Sequence, residues 1–433
     1  FNYKNDNFFE LNYYSQFLII SLIFFIISFI FIFLKKKFKV YFFIIFNSFI
    51  LSIYLFESYL FLNYNYKISL NIQREYEKKN KKKYDTRSKI QIYNEIKQKG
   101  LTHNTTLQVY PSSFLNDKNN KLLPLSGISK KKTISCNELG YYNNYKSDRF
   151  GFNNKDDLWD VEIDYLILGD SFVQGDCVNN EHNISNNISK KMNKKILNLG
   201  VSSTGPLFQY AIFKEYAYDL KFKKLIWVFY ENNDLENLYS EVNNSILKSY
   251  LNKNNFSQNL KNNVTEIDNM FKSKLINEYQ NKKGKNKFSL YNFLKLKLSR
   301  KVLNFKTKKM NNINNLYNSD NPQGAFNEVN FKNYFLILKK INNLLKNKNA
   351  QLLFVYVPEN KRYKEMSESY TSQSEFNRKK ILDFVSTENI EFVDIYEKFS
   401  NINDPLKYYP FRIKTHFTEE GYELVSSFIM EKL

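Results

Sequence analysis

A hydroxyl and a carboxylate follow a predicted buried strand near the middle of the chain. Residues 163–168 form an apolar run that predicts a strand, and Gly169, Asp170 and Ser171 come directly after it. In open α/β sheets the chemistry lies at the carboxyl ends of the strands. We therefore hypothesise that Ser171 is a nucleophile. The alternative is that Asp170 and Ser171 only form a turn and cap the next helix.

Three further polar positions also follow predicted strands. Gly200 follows a strand at residues 195–199, and Asn233 comes shortly after a strand at residues 224–230. His416 comes after the last predicted strand and before a final helix. Strands that alternate with helices predict a parallel sheet, whose loops would bring these residues to one edge. The remaining predicted elements are strands at residues 351–357 and 391–395 and helices at residues 183–193, 206–219, 331–347, 372–386 and 418–432.

A serine, a histidine and amide donors at one edge would be suited to acyl transfer. His416 would act as the base that takes the proton of the Ser171 hydroxyl. The Ser171 and Gly200 amides and the Asn233 side chain would donate to the oxyanion, with roughly 3–4 kcal/mol lost for each donor removed. We interpret Asp170 and Asp234 as structural residues that hold turns. The two tryptophans, Trp159 and Trp227, are predicted core residues.

Four segments resemble the sequence blocks of the SGNH (GDSL-type) hydrolases, in the same order. They are GDSF (169–172), NLGVSSTGP (198–206), ENND (231–234) and THFTEEGY (415–422). The resemblance implies a doubly wound, three-layer α/β domain over residues 146–433, with a five-stranded parallel sheet. It also implies that Ser171 is the nucleophile, that His416 is the base, and that Gly200 and Asn233 complete the oxyanion hole. Members of this family are esterases, lipases, carbohydrate deacetylases and O-acyl transfer enzymes, and neither a cofactor nor a metal is implied.

One position departs from the pattern of this family. An aspartate usually stands three residues before the histidine and orients its ring, whereas this chain has Ile413 there. Because an isoleucine side chain cannot accept a hydrogen bond, three outcomes are open. A backbone carbonyl orients His416, another carboxylate such as Asp394 or Asp404 reaches it, or the site is catalytically impaired.

Two long apolar segments precede the domain. Residues 17–34 contain only Phe, Leu, Ile and Ser, and residues 40–62 form a second apolar run with Glu57 near its far end. Each is long enough to cross a hydrocarbon core of about 30 Å. Both spans would form a transmembrane hairpin within residues 1–65, and we assign no function to Glu57. The short connection contains four lysines: Lys35, Lys36, Lys37 and Lys39.

Lysines in a short connection favour a cytoplasmic loop, which predicts that the main domain is extracytoplasmic, or periplasmic. Between the hairpin and the domain, residues 66–145 are predicted to be a mostly solvated juxtamembrane stalk that packs on the main domain. Residues 235–330 are rich in Asn and Lys and are predicted to be a largely helical insertion.

The charge and the cysteines narrow the classes of function. The net charge is +21, from 64 Lys and Arg against 43 Asp and Glu, but the lysines are scattered and no nucleic-acid-binding motif accompanies them. The two cysteines, Cys136 and Cys177, are too few for a disulfide scaffold, and their spacing does not suit a zinc site. They form either one disulfide outside the cytoplasm or two buried thiols.

These observations predict a membrane-anchored serine esterase or O-acyl (acetyl) transferase. Its substrate would be a small ester or an acylated glycan, such as a cell-envelope polysaccharide. The anchor and the predicted outward orientation motivate the glycan, since no residue of the sequence specifies it. The alternative, which Ile413 motivates, is a catalytically impaired protein that keeps the fold for a binding or assembly role in polysaccharide biogenesis.

Overall fold

The chain folds into two compact units. The helical unit comprises Phe1–Ile68 and Asn286–Lys306, and the sheet unit comprises Ser69–Lys285 and Thr307–Leu433. The computed structural model describes residues 21–22, 25, 29, 32–117, 121–279, 296, 299, 326–364 and 368–433.

A long helix, α1, runs over Lys36–Asn80 and contributes its first part to the helical unit. Within it, Lys36–Leu60 is 25 residues long and contains an 18-residue window with a mean hydropathy of 1.8, so it is long and apolar enough to cross a membrane. It is the single such helix in the described ranges. The first predicted span, residues 17–34, lies largely outside them, so two spans remain a prediction. The apolar segment ends at Leu60, close to the end predicted for the second span at residue 62, whereas the helix itself continues to Asn80.

Glu57, to which the sequence analysis assigned no function, is buried within the helical unit. Its side chain is 1% exposed, and Oε2 accepts hydrogen bonds from the backbone N–H and the hydroxyl of Ser299, both at 2.6 Å. A buried carboxylate without hydrogen bonds would be strongly destabilising, and Ser299 supplies two.

The region predicted to be a stalk forms a small folded layer of the sheet unit from Ser69 onward. Helix α2 (Lys89–Gln98) precedes three short strands: β1 (Thr105–Leu107), β2 (Lys132–Ile134) and β3 (Asn144–Lys146). β2 pairs parallel to β1 and antiparallel to β3. In place of a solvated stalk, the apolar residues of α2 and β1 are buried in the hydrophobic core that they share with the larger sheet.

The larger sheet has five strands, all parallel, in the order β5-β4-β6-β7-β8. This confirms the predicted α/β class with a five-stranded parallel sheet. Every residue of β6, KLIWVFY, is buried, as expected for a central strand covered on both faces. The strands are β4 (Tyr165–Leu168), β5 (Ile196–Asn198), β6 (Lys224–Tyr230), β7 (Gln351–Val357) and β8 (Glu391–Asp394).

Helices cover both faces of this sheet. They are α3 (Ser171–Gln174), α4 (Ile184–Met192), α5 (Pro206–Ile212), α6 (Asp234–Glu241), α7 (Ser245–Asn252), α8 (Val264–Tyr279), α9 (Glu328–Lys346), α10 (Glu368–Thr387), α11 (Ile395–Ser400) and α12 (Glu419–Met430). Within the predicted insertion the described residues are helical over α6, α7 and α8.

Successive side chains of β4 point to opposite faces of the sheet. Leu166 and Leu168 belong to one hydrophobic cluster, with residues of α5 and α9, and Tyr165 and Ile167 belong to another, with residues of α4 and α12. The sheet is therefore the middle of three layers. Trp227 is 1% exposed within the first cluster.

Candidate active site

Ser171 lies where β4 ends and the short helix α3 begins. Asp170 is the N-cap residue of α3, and its Oδ1 accepts the Phe172 amide at 2.9 Å. Asp170 therefore has the capping role that the sequence suggested. Ser171 is the first residue of α3 and is 8% exposed.

His416 reaches the serine from the loop before α12. Its Nε2 lies 2.9 Å from the Ser171 hydroxyl oxygen, within hydrogen-bond reach. Asn360 donates hydrogen bonds to the carbonyls of Ile413 and Lys414 and so holds the loop in front of the histidine. The Phe172 ring packs against the imidazole, with centroids 5.1 Å apart.

The carboxylate at the far nitrogen of His416 is Glu138, a residue that the sequence did not suggest. Its Oε2 lies 3.3 Å from His416 Nδ1 and also accepts the His416 backbone N–H at 3.0 Å. The candidates that the sequence did suggest are engaged elsewhere, because Asp394 pairs with Arg378 and Asp404 pairs with Arg412.

Ile413 has 46% of its surface exposed. The position at which the SGNH family usually has its aspartate therefore contributes no polar group to the histidine. Glu138 comes instead from the connection between β2 and β3, before the serine in the chain.

A disulfide ties the Glu138 segment to the loop that follows Ser171. Cys136 and Cys177 are bonded, with Cα atoms 5.0 Å apart, and Cys177 Sγ lies 3.4 Å from His416 Nδ1. Since Cys136 is two residues before Glu138, the bond keeps the carboxylate close to the histidine. Because the two sulfurs are bonded to each other, their cluster with His416 offers no thiolate ligand for a metal ion.

A tight turn completes the support of Glu138. The Asn137 side chain donates to the Asp85 carbonyl at 2.7 Å, and the Asp85 amide donates to the Gly140 carbonyl at 2.8 Å. Gly140 has φ +92°, and a Cβ there would lie 2.5 Å from the Tyr76 ring. A glycine is required at this turn both by its backbone conformation and by its contact with α1.

Three side chains of the site, His416, Glu138 and Asp170, have shifted pKa values. Burial alone would lower the pKa of His416, but the hydrogen bond and negative charge of Glu138 outweigh it and raise that pKa to about 9. Burial raises the pKa of Glu138, and the contact with His416 outweighs this and holds it below its ordinary value. Burial raises the pKa of Asp170 to about 6. The pair of His416 and Glu138 therefore favours an imidazolium beside a carboxylate.

The candidate oxyanion donors have different surroundings. The Asn233 side chain contacts the Asp170 carboxylate beside Ser171, and its Oδ1 is buried without a partner among the described residues. No hydrogen bond of the Ser171 amide occurs in the described part of the chain. The Gly200 amide, in contrast, donates to Asn198 Oδ1 at 2.8 Å. This differs from the expected oxyanion role of Gly200, because a side-chain acceptor already occupies its N–H.

Gly200 has a steric role instead. A Cβ there would lie 2.2 Å from the Gln174 nitrogen and 2.5 Å from the Val173 carbonyl carbon, so only glycine lets the end of β5 approach α3 this closely. Asn198, which is fully buried, donates from its side chain to the Val173 carbonyl at 2.7 Å. These contacts fix the helix that begins with Ser171.

Asp234, Trp227 and Trp159 were predicted to be structural or core residues. The buried Asp234 accepts the Tyr230 amide at 3.0 Å and so closes the turn after β6. The Trp227 indole donates to Gln209 at 2.6 Å within the core. Trp159 is half-buried and donates to Asp148 at 2.8 Å.

No family model matches the sequence, and no curated protein matches it. Among solved structures, the chain is similar to the "putative lipolytic protein of G-D-S-L family" from Desulfitobacterium hafniense DCB-2, with 12% sequence identity and a TM-score of 0.31. That match covers 63% of this chain and 100% of the other. The strand order and the parallel pairings of the sheet define the fold of this chain independently of that similarity.

Proposed function

We propose that this protein is a membrane-anchored serine esterase or O-acyl transfer enzyme that acts on acyl groups of cell-envelope polysaccharide. The observation that supports it most directly is a relay of three side chains. Ser171 Oγ lies 2.9 Å from His416 Nε2, and His416 Nδ1 lies 3.3 Å from the Glu138 carboxylate. A nucleophile, a base and a group that orients the base are the parts that acyl transfer to serine needs.

The proposed reaction has two steps. His416 Nε2 takes the hydroxyl proton as Ser171 Oγ attacks the ester carbonyl, and the imidazolium then protonates the departing alcohol. The oxyanion would accept hydrogen bonds from the Ser171 amide and the Asn233 side chain. In the second step water or a sugar hydroxyl attacks the acyl-serine, with His416 again as the base. Glu138 keeps the remaining ring proton on Nδ1 and stabilises the imidazolium.

Two features support the proposed location. The apolar part of α1, Lys36–Leu60, would be the anchor, and the lysines at its start favour a cytoplasmic connection. The bonded cysteines, Cys136 and Cys177, suit an oxidising compartment outside the cytoplasm. The polysaccharide substrate follows from this location and is part of the proposal.

The proposal is tested with the full chain purified in detergent. We expect hydrolysis of 4-nitrophenyl acetate and a loss on the order of 10⁴-fold or more in Ser171→Ala, because the nucleophile is removed. A fluorophosphonate probe should label Ser171 in the wild-type protein, as detected by mass spectrometry of peptides. Ser400→Ala, at an exposed serine of α11, is the matched control and should retain the activity. Equal rates for wild type and Ser171→Ala would contradict the proposal.

The alternative, a catalytically impaired binding or assembly protein, was motivated by Ile413. With Glu138 3.3 Å from His416 Nδ1, the missing aspartate no longer argues for impairment. The alternative predicts measurable glycan binding and no labelling of Ser171 by the fluorophosphonate probe. The same labelling experiment therefore separates the two functions.

A further inference from the structure

A cavity of about 820 Å³ lies in the sheet unit, beside the chain segments that carry Glu138 and His416. Leu139, which adjoins Glu138, and Thr418, which is two residues from His416, both line it. The cavity is thus adjacent to the two chain segments that carry the base and its carboxylate. Its volume falls in the range of about 300–1,000 Å³ that is typical of small-molecule sites. An acetyl group would fill only a small part of it.

The lining combines aromatic rings with charges of both signs. Tyr141 and Phe411 are half-buried and contribute rings, while Lys79 and Glu420 are exposed and have no hydrogen-bond or ion-pair partner among the described residues. Sugar hydroxyls can accept from an ammonium group and donate to a carboxylate, and the C–H faces of a sugar pack on aromatic rings. A hydrocarbon chain would instead desolvate these charges without replacing their hydrogen bonds. The lining therefore favours a carbohydrate over a lipid chain.

Backbone strain occurs where the loop before His416 faces the cavity. Phe411 and Arg412 are adjacent, both line the cavity, and have φ values of 52° and 61°. Residues other than glycine seldom adopt this conformation, and such strain concentrates at ligand-binding and active sites. The conformation is held by the ion pair of Arg412 with Asp404 at 2.7 Å and by the Tyr84 ring, 6.3 Å from that of Phe411.

We propose that this cavity binds the sugar part of an acylated oligosaccharide, with Phe411 and Tyr141 as stacking surfaces. The sugar is the alcohol moiety of the ester, so its binding would orient an acyl group toward Ser171. This inference rests on the proposed function and extends it, because it names the carbohydrate as the part of the substrate that is recognised.

Binding is measured first, with the full chain in detergent and in the Ser171→Ala background, so that it does not depend on turnover. The probes are short acetylated cello-, xylo- and chito-oligosaccharides, titrated by calorimetry. We expect saturable binding of at least one probe, weakened about tenfold or more by Phe411→Ala through loss of the stacking ring. Asn80→Trp places a bulky group at an exposed position of the cavity wall and should weaken it similarly without removing a core side chain. Phe376→Ala, at a phenylalanine that is 56% exposed on α10, is the matched control.

Turnover is measured second, as the ratio of kcat/KM for the acetylated oligosaccharide to kcat/KM for 4-nitrophenyl acetate. Phe411→Ala should lower this ratio about tenfold, mainly through KM for the oligosaccharide. Absence of saturable binding to all three probes, or binding unchanged in both cavity variants, would overturn the cavity proposal even if the small ester is hydrolysed. Specific binding in a protein that hydrolyses no ester would support the cavity and refute the proposed function.

Discussion

The five-stranded sheet and the small layer before it each supply side chains to the candidate active site, but by different means. Ser171 follows β4 and His416 precedes α12, so the parallel topology brings both to one edge of the sheet. Glu138 lies between β2 and β3 and reaches the histidine through a disulfide and a turn that contacts α1. The parallel topology of the sheet thus positions Ser171 and His416. Glu138, in contrast, is positioned by particular contacts between residues that are far apart in the sequence.

The largest expected effect tests the contribution of the sheet. His416→Ala removes the base and should lower kcat/KM for 4-nitrophenyl acetate by a factor on the order of 10⁴–10⁶. Initial rates and circular dichroism of the full chain would be compared with wild type. His182→Ala is a suitable control, because His182 is partly exposed and pairs with Glu419 at 3.5 Å. Retention of most of the activity in His416→Ala would exclude this histidine as the base.

A smaller loss tests the contribution of the small layer. Glu138→Gln keeps the shape of the side chain but removes the charge that stabilises the imidazolium, so kcat/KM should fall about 10²–10⁴-fold. Since His416 acts as a base only when neutral, wild-type kcat/KM should rise with pH through the raised pKa of about 9.

In Glu138→Gln the rise of kcat/KM with pH (the acidic limb of the profile) should move to lower pH, because the imidazolium loses its carboxylate partner. The pH profile of kcat/KM measures both effects. Glu423→Gln changes an exposed glutamate of α12 that pairs with Lys191, and its limb should stay where it is in wild type. An unshifted limb in Glu138→Gln would show that this carboxylate does not act on the base.

The disulfide should have a more moderate effect, mainly on stability. Cys136→Ser with Cys177→Ser removes a cross-link between residues 41 apart, which we expect to lower the free energy of unfolding by about 2–4 kcal/mol. A lower midpoint of thermal unfolding would show it, together with a loss of kcat/KM smaller than that of Glu138→Gln. Intact mass without reductant should be lower than the fully reduced mass by two hydrogen atoms. Two alkylatable thiols in the native protein would rule the bond out.

The smallest effect on kcat/KM is expected at Ile413, the position at which the SGNH hydrolases usually have an aspartate. Ile413→Asp should change kcat/KM by no more than about twofold, because this residue is 46% exposed and Glu138 already lies at the far nitrogen of the histidine. The same substitution should not rescue Glu138→Gln. Rescue by tenfold or more would show that the loop can turn this residue toward His416, and that the two regions are interchangeable as sources of the carboxylate.

Much of the sheet could be predicted because each strand is a short apolar run followed by a polar turn. The predicted strand at residues 224–230 matches β6, and the strand at residues 351–357 matches β7. The hydrogen bond from the Gly200 N–H to Asn198 Oδ1 could not be predicted from the sequence, because it depends on the orientation of the buried Asn198 side chain. The prediction that residues 66–145 are mostly solvated was wrong, because the apolar residues of α2 are few and their burial depends on a surface far away in the sequence.

The sequence by itself determined the α/β alternation, the apolar segment of α1, the position of Ser171 at a strand end and that of His416 before the last helix. These follow from local periodicity and from chain order, which any parallel sheet preserves. Only the tertiary structure decided which carboxylate accompanies the histidine. Glu138 is 278 residues from His416 along the chain, and no local pattern marks it. The sequence shows that Glu138 lies two residues after Cys136. This spacing places Glu138 near the active site only because Cys136 is bonded to Cys177.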